Sequence, residues 1–174
     1  MRKARIRSFA PIAGRNARVL ILGSMPGQKS LDAREYYAHK QNAFWRIVGD
    51  LLGIDPRAPY RKRIQALKRA RIALWDVLHS CERSGSMDAG IDRDSETAND
   101  FRGFFHGHRQ ISHVFFNGAK ASGSFKRRVL PGLGVPRLRY IRLPSTSPAH
   151  ASVAYERKRE AWRTILKPAK RSRT

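Results

Sequence analysis

The chain of 174 residues is short of three things, and each shortage excludes a class of protein. It has a single cysteine, Cys81. That rules out a disulfide framework, a cysteine-based zinc site and a four-cysteine iron–sulfur cluster. It has no apolar run near the ~18 residues that a membrane-spanning helix needs. The apolar stretch of its basic N-terminus is broken by Pro11 and Gly14, which argues against a secretory signal. It is also poor in carboxylates: 13 Asp and Glu stand against 36 Lys and Arg, for a net charge of +23. A reducing, cytoplasmic setting is expected, with the chain bound to no membrane. Hydrophobic residues make up 41% of the sequence, enough to build one domain with its own core.

The few carboxylates are clustered. Residues 76–100 contain seven of them, among them Asp76, Asp88 and Glu96, against only Arg83 and Arg93. From Phe101 to Tyr155 there is none, while nine basic residues fall in that span. A net charge of ~2–8 suffices to keep a small domain dispersed. The excess is what a protein needs to collect a polyanion, and counterion release makes nucleic acid the strongest such partner.

Hydrophobic patterning predicts alternating strands and helices. Ala17–Gly23, Ile72–Leu78, His113–Asn117 and Leu138–Leu143 read as strands. Helices are expected over 41–52, about 60–70, from an Asn99 cap through about 108, near 119–130 with a stop at Pro131 and Gly132, and over about 152–167. Residues 1–16 read as an irregular lead-in and 80–98 as a long polar loop. Residues 168–174 read as a disordered basic tail beyond a single domain spanning 1–167. The alternation argues for an α/β fold: a three-layer α/β/α sandwich around a central four-stranded parallel sheet. In such folds the working residues lie beyond the C-terminal ends of the strands. Here those ends carry GSMPG at 23–27, HSCERSGSMD at 79–88, NG at 117–118 and PSTSPAH at 144–150.

Each of these segments has a plain reading beside a chemical one. Gly23-Ser24-Met25-Pro26-Gly27 can turn tightly and bare its N–H groups to a ligand, or simply join a strand to a helix. It lacks the Gly-Lys-Ser/Thr ending of a phosphate loop. Tyr36, Tyr37, His39, Asn42, Phe44 and Trp45 fall within ten residues; aromatics beside an amide suit a flat hydrogen-bonding ligand, and equally suit a core. Asn42 can cap a helix, and Asn117 can be a turn residue or an amide offered to a ligand. His150 can meet a phosphate or water. His106, His108 and His113 lack a carboxylate or cysteine to complete a metal set, so no metal and no cofactor is expected.

Taken together, GSMPGxxSL, YYAHxxNxFW, ALWDV, CERSGSMD, FFNG and PSTSPAHA resemble family 6 of the uracil-DNA glycosylase superfamily, the hypoxanthine DNA glycosylases. The likeness runs in order from about Phe9 to about Trp162. Lys40 stands where the family often has proline. The resemblance implies an enzyme that flips a deaminated base (hypoxanthine, with xanthine and uracil as further candidates) out of double-stranded DNA. It then hydrolyses the N-glycosidic bond, acting as a monomer without metal or cofactor. It implies that Asn42 positions the attacking water and that Asn117 recognises the base. Gly23, Ser24, Met25, Pro26, Tyr36, Tyr37 and Phe44 would surround that base. Ser145, Thr146, Ser147, Pro148 and His150 of the second superfamily motif would meet DNA, together with Arg83. Ser86 and Asp88 join Arg83 as candidate site residues, and Asp32 and Glu35 rank behind Asn42 as activators of water.

Cleavage of this bond leaves a cation-like sugar and an anionic base, so donors aimed at the base are worth several kcal/mol, on the order of 3–4. N–H groups at Ser24 and Met25 and the amide of Asn117 are the expected donors. A free asparagine amide can rotate to suit hypoxanthine or adenine, so discrimination is expected from donors that cannot rotate. Two competing readings remain at this point. One is a non-catalytic nucleic-acid-binding domain on the same fold; the other is an α/β protein that binds a small nucleotide.

Overall fold

A computed structural model describes residues 4–170 of the chain. Its centre is a four-stranded parallel sheet of β2 (Val19–Gly23), β3 (Ile72–Asp76), β6 (His113–Asn117) and β7 (Arg139–Leu143), in the order β3-β2-β6-β7. β2 and β3 are buried along their whole length, which explains runs that are apolar at every position rather than at alternate ones. Alternate side chains enter two separate cores. Val19 and Ile21 join α2 (Phe44–Leu52), α3 (Tyr60–Arg69), α7 (Tyr155–Trp162) and α8 (Leu166–Lys170) on one face. Leu20 and Leu22 join α4 (Phe101–Gly107), α5 (Ala119–Arg128) and α6 (Leu130–Leu133) on the other. The sandwich is therefore the one expected, with helices on both faces.

A second sheet was not legible in the sequence. β1 (Ala4–Arg7), β4 (Leu78–Arg83) and β5 (Thr97–Ala98) form an antiparallel sheet in the order β1-β4-β5. The lead-in is thus partly a strand, and the strand expected to end at Leu78 instead breaks at Val77 and continues to Arg83. The supposed loop 80–98 contains that continuation, two short 3-10 turns and β5. Both edge strands carry polar residues facing solvent, which hides a strand from a hydrophobicity pattern.

Smaller expectations also change. Asp100, not Asn99, caps α4 by accepting from the Gly103 N–H at 3.0 Å. Asn99 instead donates to the Asp76 carbonyl oxygen at 2.8 Å. Pro131 and Gly132 do not stop a helix but sit inside α6, where proline is tolerated because the first turn needs no N–H donor. Helical structure continues past Pro168 to Lys170, with Pro168 and Ala169 buried against the core. Residues 168–170 are therefore not part of a disordered tail, and the rest of that expectation, residues 171–174, lies outside the described residues.

The order β3-β2-β6-β7 makes the chain reverse direction across the sheet between β2 and β6. Side connections leave a crevice beyond the carboxyl ends of the two strands at such a switch point. Gly23 and Asn117 are the residues at those two ends.

Candidate active site

A cavity of about 730 Å³ opens over this crevice. That lies within the ~300–1,000 Å³ typical of ligand sites. Each strand end expected to be functional contributes: the turn after β2, Asp76 at the end of β3, Asn117 and Gly118 after β6, and Ser145–His150 after β7. Tyr36, Tyr37, His39 and Asn42 close one side, and Ser86–Ala89 close another.

The turn after β2 is held from outside. Arg83 is 3% exposed; its Nη1 donates to the Pro26 carbonyl at 2.8 Å and its Nε to the Gly85 carbonyl at 3.0 Å. Ser24 Oγ donates to Asp88 Oδ1 at 2.6 Å, and the Gln28 N–H donates to Ser86 Oγ at 2.9 Å. The segment CERSGSMD thus clamps GSMPG. This corrects the expectation for Arg83: buried and bonded to the protein's own backbone, it has no reach to a DNA phosphate.

Asn117 is the most constrained of the expected residues. Its Nδ2 donates to Tyr37 Oη at 3.1 Å and to Thr146 Oγ1 at 2.9 Å, while its Oδ1 accepts from the Thr146 N–H at 2.9 Å. A backbone N–H can only donate, so that bond fixes which end of the amide is oxygen. Both amide hydrogens are taken, and one lone pair of Oδ1 is left. The expectation of a rotating amide that donates to the base is therefore overturned: this amide is locked and can offer only an acceptor. Thr146, 1% exposed, serves as the lock and is not open to DNA.

The loop that carries Thr146 is fixed by the rest of the fold. The Trp162 indole N–H donates to the Pro144 carbonyl at 2.9 Å, Lys158 Nζ to the His150 carbonyl at 2.7 Å, and the Ala43 N–H to the Thr146 carbonyl at 3.0 Å. Ser145 and Ser147 are half-buried, and Pro148 and His150 are exposed at the rim. Gly118, at φ 93°, permits the close crossing: a Cβ there would lie 3.0 Å from the Ser145 Cβ.

Asn42 is not the N-cap of α2, which is Ala43, but from one residue earlier it braces the helix start and lines the cavity. Its Oδ1 accepts from the Phe44 N–H at 3.0 Å, at the start of α2, and the residue also lines the cavity. That bond orients the amide and leaves Nδ2 without a protein acceptor among the described residues. Phe44 itself is fully buried and does not reach the cavity; it stacks beneath Tyr37, with ring centroids 4.0 Å apart. That corrects its expected contact with the base. Tyr36 lines the wall but its hydroxyl donates to the Ala10 carbonyl at 3.0 Å, so only the ring faces the site. Burial raises the pKa of both phenols, with the Asp76 charge adding to it, so both stay protonated at neutral pH.

Sequence reasoning missed Asp76. It is 4% exposed, lines the cavity, and its Oδ2 has no hydrogen-bond partner. Burial, and then the neighbouring Asp88 charge, push its pKa up to about 8. Asp88 faces the open cavity; burial among protein atoms raises its pKa as well, and the Ser24 hydroxyl opposes that shift. A carboxyl ending the otherwise apolar strand IALWD was the available signal. Asp32 and Glu35, the weaker candidates, do not line the cavity; Asp32 accepts from Gln28 Nε2 at 2.7 Å, and Glu35 pairs with Arg63 at 3.5 Å. Among the described residues no three His, Cys, Asp or Glu side chains gather into a metal set. No helix among them is long and apolar enough to cross a membrane.

A parallel α/β sheet whose strand ends enclose amides, hydroxyls and aromatic rings, on a strongly basic chain, defines a protein that receives a nucleic-acid base. Comparison with known proteins narrows the class. Residues 11–167 match the family model of the uracil DNA glycosylase superfamily. A hypoxanthine DNA glycosylase of Methanosarcina acetivorans is 35% identical over 162 residues, covering 92% of this chain and 98% of that protein. A second, from Methanosarcina barkeri, is 38% identical over 121 residues, covering 69% of this chain and 75% of that one. The solution NMR structure of a Methanosarcina acetivorans protein provisionally assigned as a uracil DNA glycosylase superposes with a TM-score of 0.79 at 32% identity. It covers 97% of this chain and all of that one. The chain belongs to the uracil DNA glycosylase superfamily.

Proposed function

We propose that this chain excises hypoxanthine, the deaminated form of adenine, from double-stranded DNA by hydrolysing its N-glycosidic bond. The observation that carries the reading is the locked amide of Asn117. Its one open site is an acceptor on Oδ1. Hypoxanthine carries an N1–H donor that can meet this acceptor. Adenine carries a lone pair at N1, so the two acceptors would face each other unpaired. Leaving a buried polar group unpaired costs about 1–3 kcal/mol, or roughly 5- to 150-fold in preference. Uracil and xanthine also present a ring N–H, so the acceptor tolerates them, and the cavity is large enough for either.

The base leaves the duplex first, and a mispaired deaminated base is the cheapest to extrude. The Tyr37 ring, backed by Phe44, offers a stacking face. Asn42 orients a water toward C1′: its Nδ2 donates to the water oxygen while the Phe44 N–H holds the amide in place. An amide is no base near neutrality, so its contribution is position, which suffices against a cation-like sugar. N–H groups of the Ser24–Met25 turn face the departing base, and Ser145, Ser147 and His150 at the rim meet the phosphates. The enzyme works as a single domain that reaches at least Lys170, as a monomer at the nucleoid, without metal or cofactor.

The test is release of free base from a duplex containing one deoxyinosine, followed by alkaline cleavage of the abasic strand in EDTA. Cutting at the lesion only, at least tenfold faster than for a matched deoxyadenosine duplex, is the expected result. Asn42→Ala should lose about 10²-fold in single-turnover rate with DNA affinity retained. DNA retardation without base release would refute the reading and leave a binding domain.

A further inference from the structure

We propose that Asp76 is the general acid of this site: its carboxyl group protonates a ring nitrogen of the purine as the glycosidic bond breaks. The proposal rests on the reading of the chain as a hypoxanthine-releasing enzyme and adds a residue to it.

Three observations lead there. Asp76 ends β3 beside Gly23, lines the cavity and is almost wholly buried, yet Oδ2 finds no partner. A buried carboxyl without hydrogen bonds costs stability, and such a group is retained where it has work to do. The fold also makes room for it. A Cβ on residue 23 would lie 2.5 Å from Asp76 Oδ1 and 2.9 Å from Tyr37 Oη, so the absent side chain of Gly23 leaves space for both groups. Tyr37 Oη, which borders the same gap at Gly23 as Asp76, accepts from the locked Asn117 amide that faces the base.

The surroundings favour the protonated form. The titratable groups that act on Asp76 or respond to it are Asp88, from the loop after β4, and the phenols of Tyr36, Tyr37 and Tyr60. Lys29 and Lys120 line the same cavity but are not among them; Lys120 acts on Asp88 instead. Asp88 adds negative charge, and the phenols are neutral. Asp76 is therefore an uncharged acid at neutral pH, and a donor with an ionisation near the working pH is the most effective kind. Asn117, with both hydrogens spent, cannot supply this proton or any donor in its place.

The atoms balance without a further reactant. The C1′–N9 bond breaks and its electron pair passes into the purine ring. The Asp76 proton goes to a ring nitrogen of that purine. Water adds its oxygen to C1′ and releases one proton to solvent, and solvent returns one to Asp76. The net change is hydrolysis to neutral base and sugar.

The experiment is single-turnover base release from a deoxyinosine duplex, by wild type and Asp76→Asn, between pH 5 and 10. Aspartate-labelled wild-type protein is titrated in parallel by carbon NMR. We expect a wild-type rate that falls as pH rises through about 8. In the same range one carboxyl carbon should titrate in wild type and be missing from the variant. Asp76→Asn keeps the shape of the side chain and should keep its affinity for the duplex within about threefold. It should lose about 10²- to 10⁴-fold in rate and lose the alkaline limb as well. A variant within threefold of wild type, or a slow variant that keeps the limb, overturns the assignment. So does a wild-type rate that stays flat through pH 9.5, a result that needs no variant. Wild type that releases no hypoxanthine at any pH refutes the underlying reading, and the assignment with it; an active wild type beside an equally active variant refutes the assignment alone.

Discussion

Gly23→Ala is the smallest change that tests how the site is built. The added methyl would begin 2.5 Å from Asp76 Oδ1 and 2.9 Å from Tyr37 Oη, where ordinary contact begins at 3.4 Å. Asp76 must then retreat by about 0.9 Å and Tyr37 by about 0.5 Å, in a region with little slack. Tyr37 cannot move alone, since it accepts from Asn117 above and stacks on buried Phe44 below. Overpacking of this kind costs about 1–3 kcal/mol. For a domain of this size that lowers the melting temperature by roughly 2–4 °C per kcal/mol. The loss of rate should exceed the loss of stability, because a shift near 1 Å at a reacting centre costs about 10²-fold. Thermal unfolding and single-turnover base release on one preparation measure both. A variant that melts within 1 °C of wild type and cleaves at its rate would show that the β2–β3 strand ends are not wedged together, and the account of the cavity floor would fall.

Other expectations follow from the same geometry. Asp76→Asn should stabilise the protein: a carboxyl whose folded pKa lies above its unfolded value binds its proton more tightly when folded. Wild type therefore loses stability as pH rises from about 4 to about 8, and the variant should not; urea midpoints at pH 5 and 9 read the difference. Arg83→Lys should lower stability by about 1–3 kcal/mol and slow base release, because an ammonium cannot span the Pro26 and Gly85 carbonyls. The salt dependence of DNA binding should stay unchanged; a shallower slope would mean that Arg83 touches phosphate after all. Glu96 sits buried among Lys120, Arg127 and Arg128, which are partly exposed. Burial alone would raise its pKa, but the Lys120 hydrogen bond and the surrounding positive charge outweigh it and hold it low. Its contribution is complete above the usual glutamate range and disappears as pH falls through the lowered value. Glu96→Gln should cost about 1–3 kcal/mol at pH 7, discounted for the solvent-exposed partners, and denature less steeply in acid than wild type.

Much of the architecture could be read from the sequence because burial on both faces of a parallel strand leaves a run that is apolar at every position. Val19–Gly23 and His113–Asn117 were visible for that reason, and so was the polar chemistry placed at their ends. β1 and β4 were not: Arg5 and Arg7 are exposed on β1, and on the largely buried β4 the polar His79, Ser80, Glu82 and Arg83 break the apolar run. The motif residues line one cavity, with Phe44 and Arg83 as the exceptions. Both look available in the sequence, and both are consumed by packing: one beneath Tyr37, the other behind the Pro26 turn.

The sequence by itself determined the alternating α/β order, the basic surface and the position of Asn42 and Asn117 at the mouths of structured elements. Local patterns suffice for these, because periodicity and strand-end chemistry are properties of neighbours in the chain. Tertiary structure alone decided which atoms are free to act. The Thr146 N–H, 29 residues away, turns the Asn117 amide into a fixed acceptor. The burial of Asp76 between strand ends, with the Asp88 charge nearby, turns an ordinary aspartate into a neutral acid. Hydrogen-bond direction and proton affinity depend on what surrounds an atom in space, and residues far apart in the chain supply those surroundings.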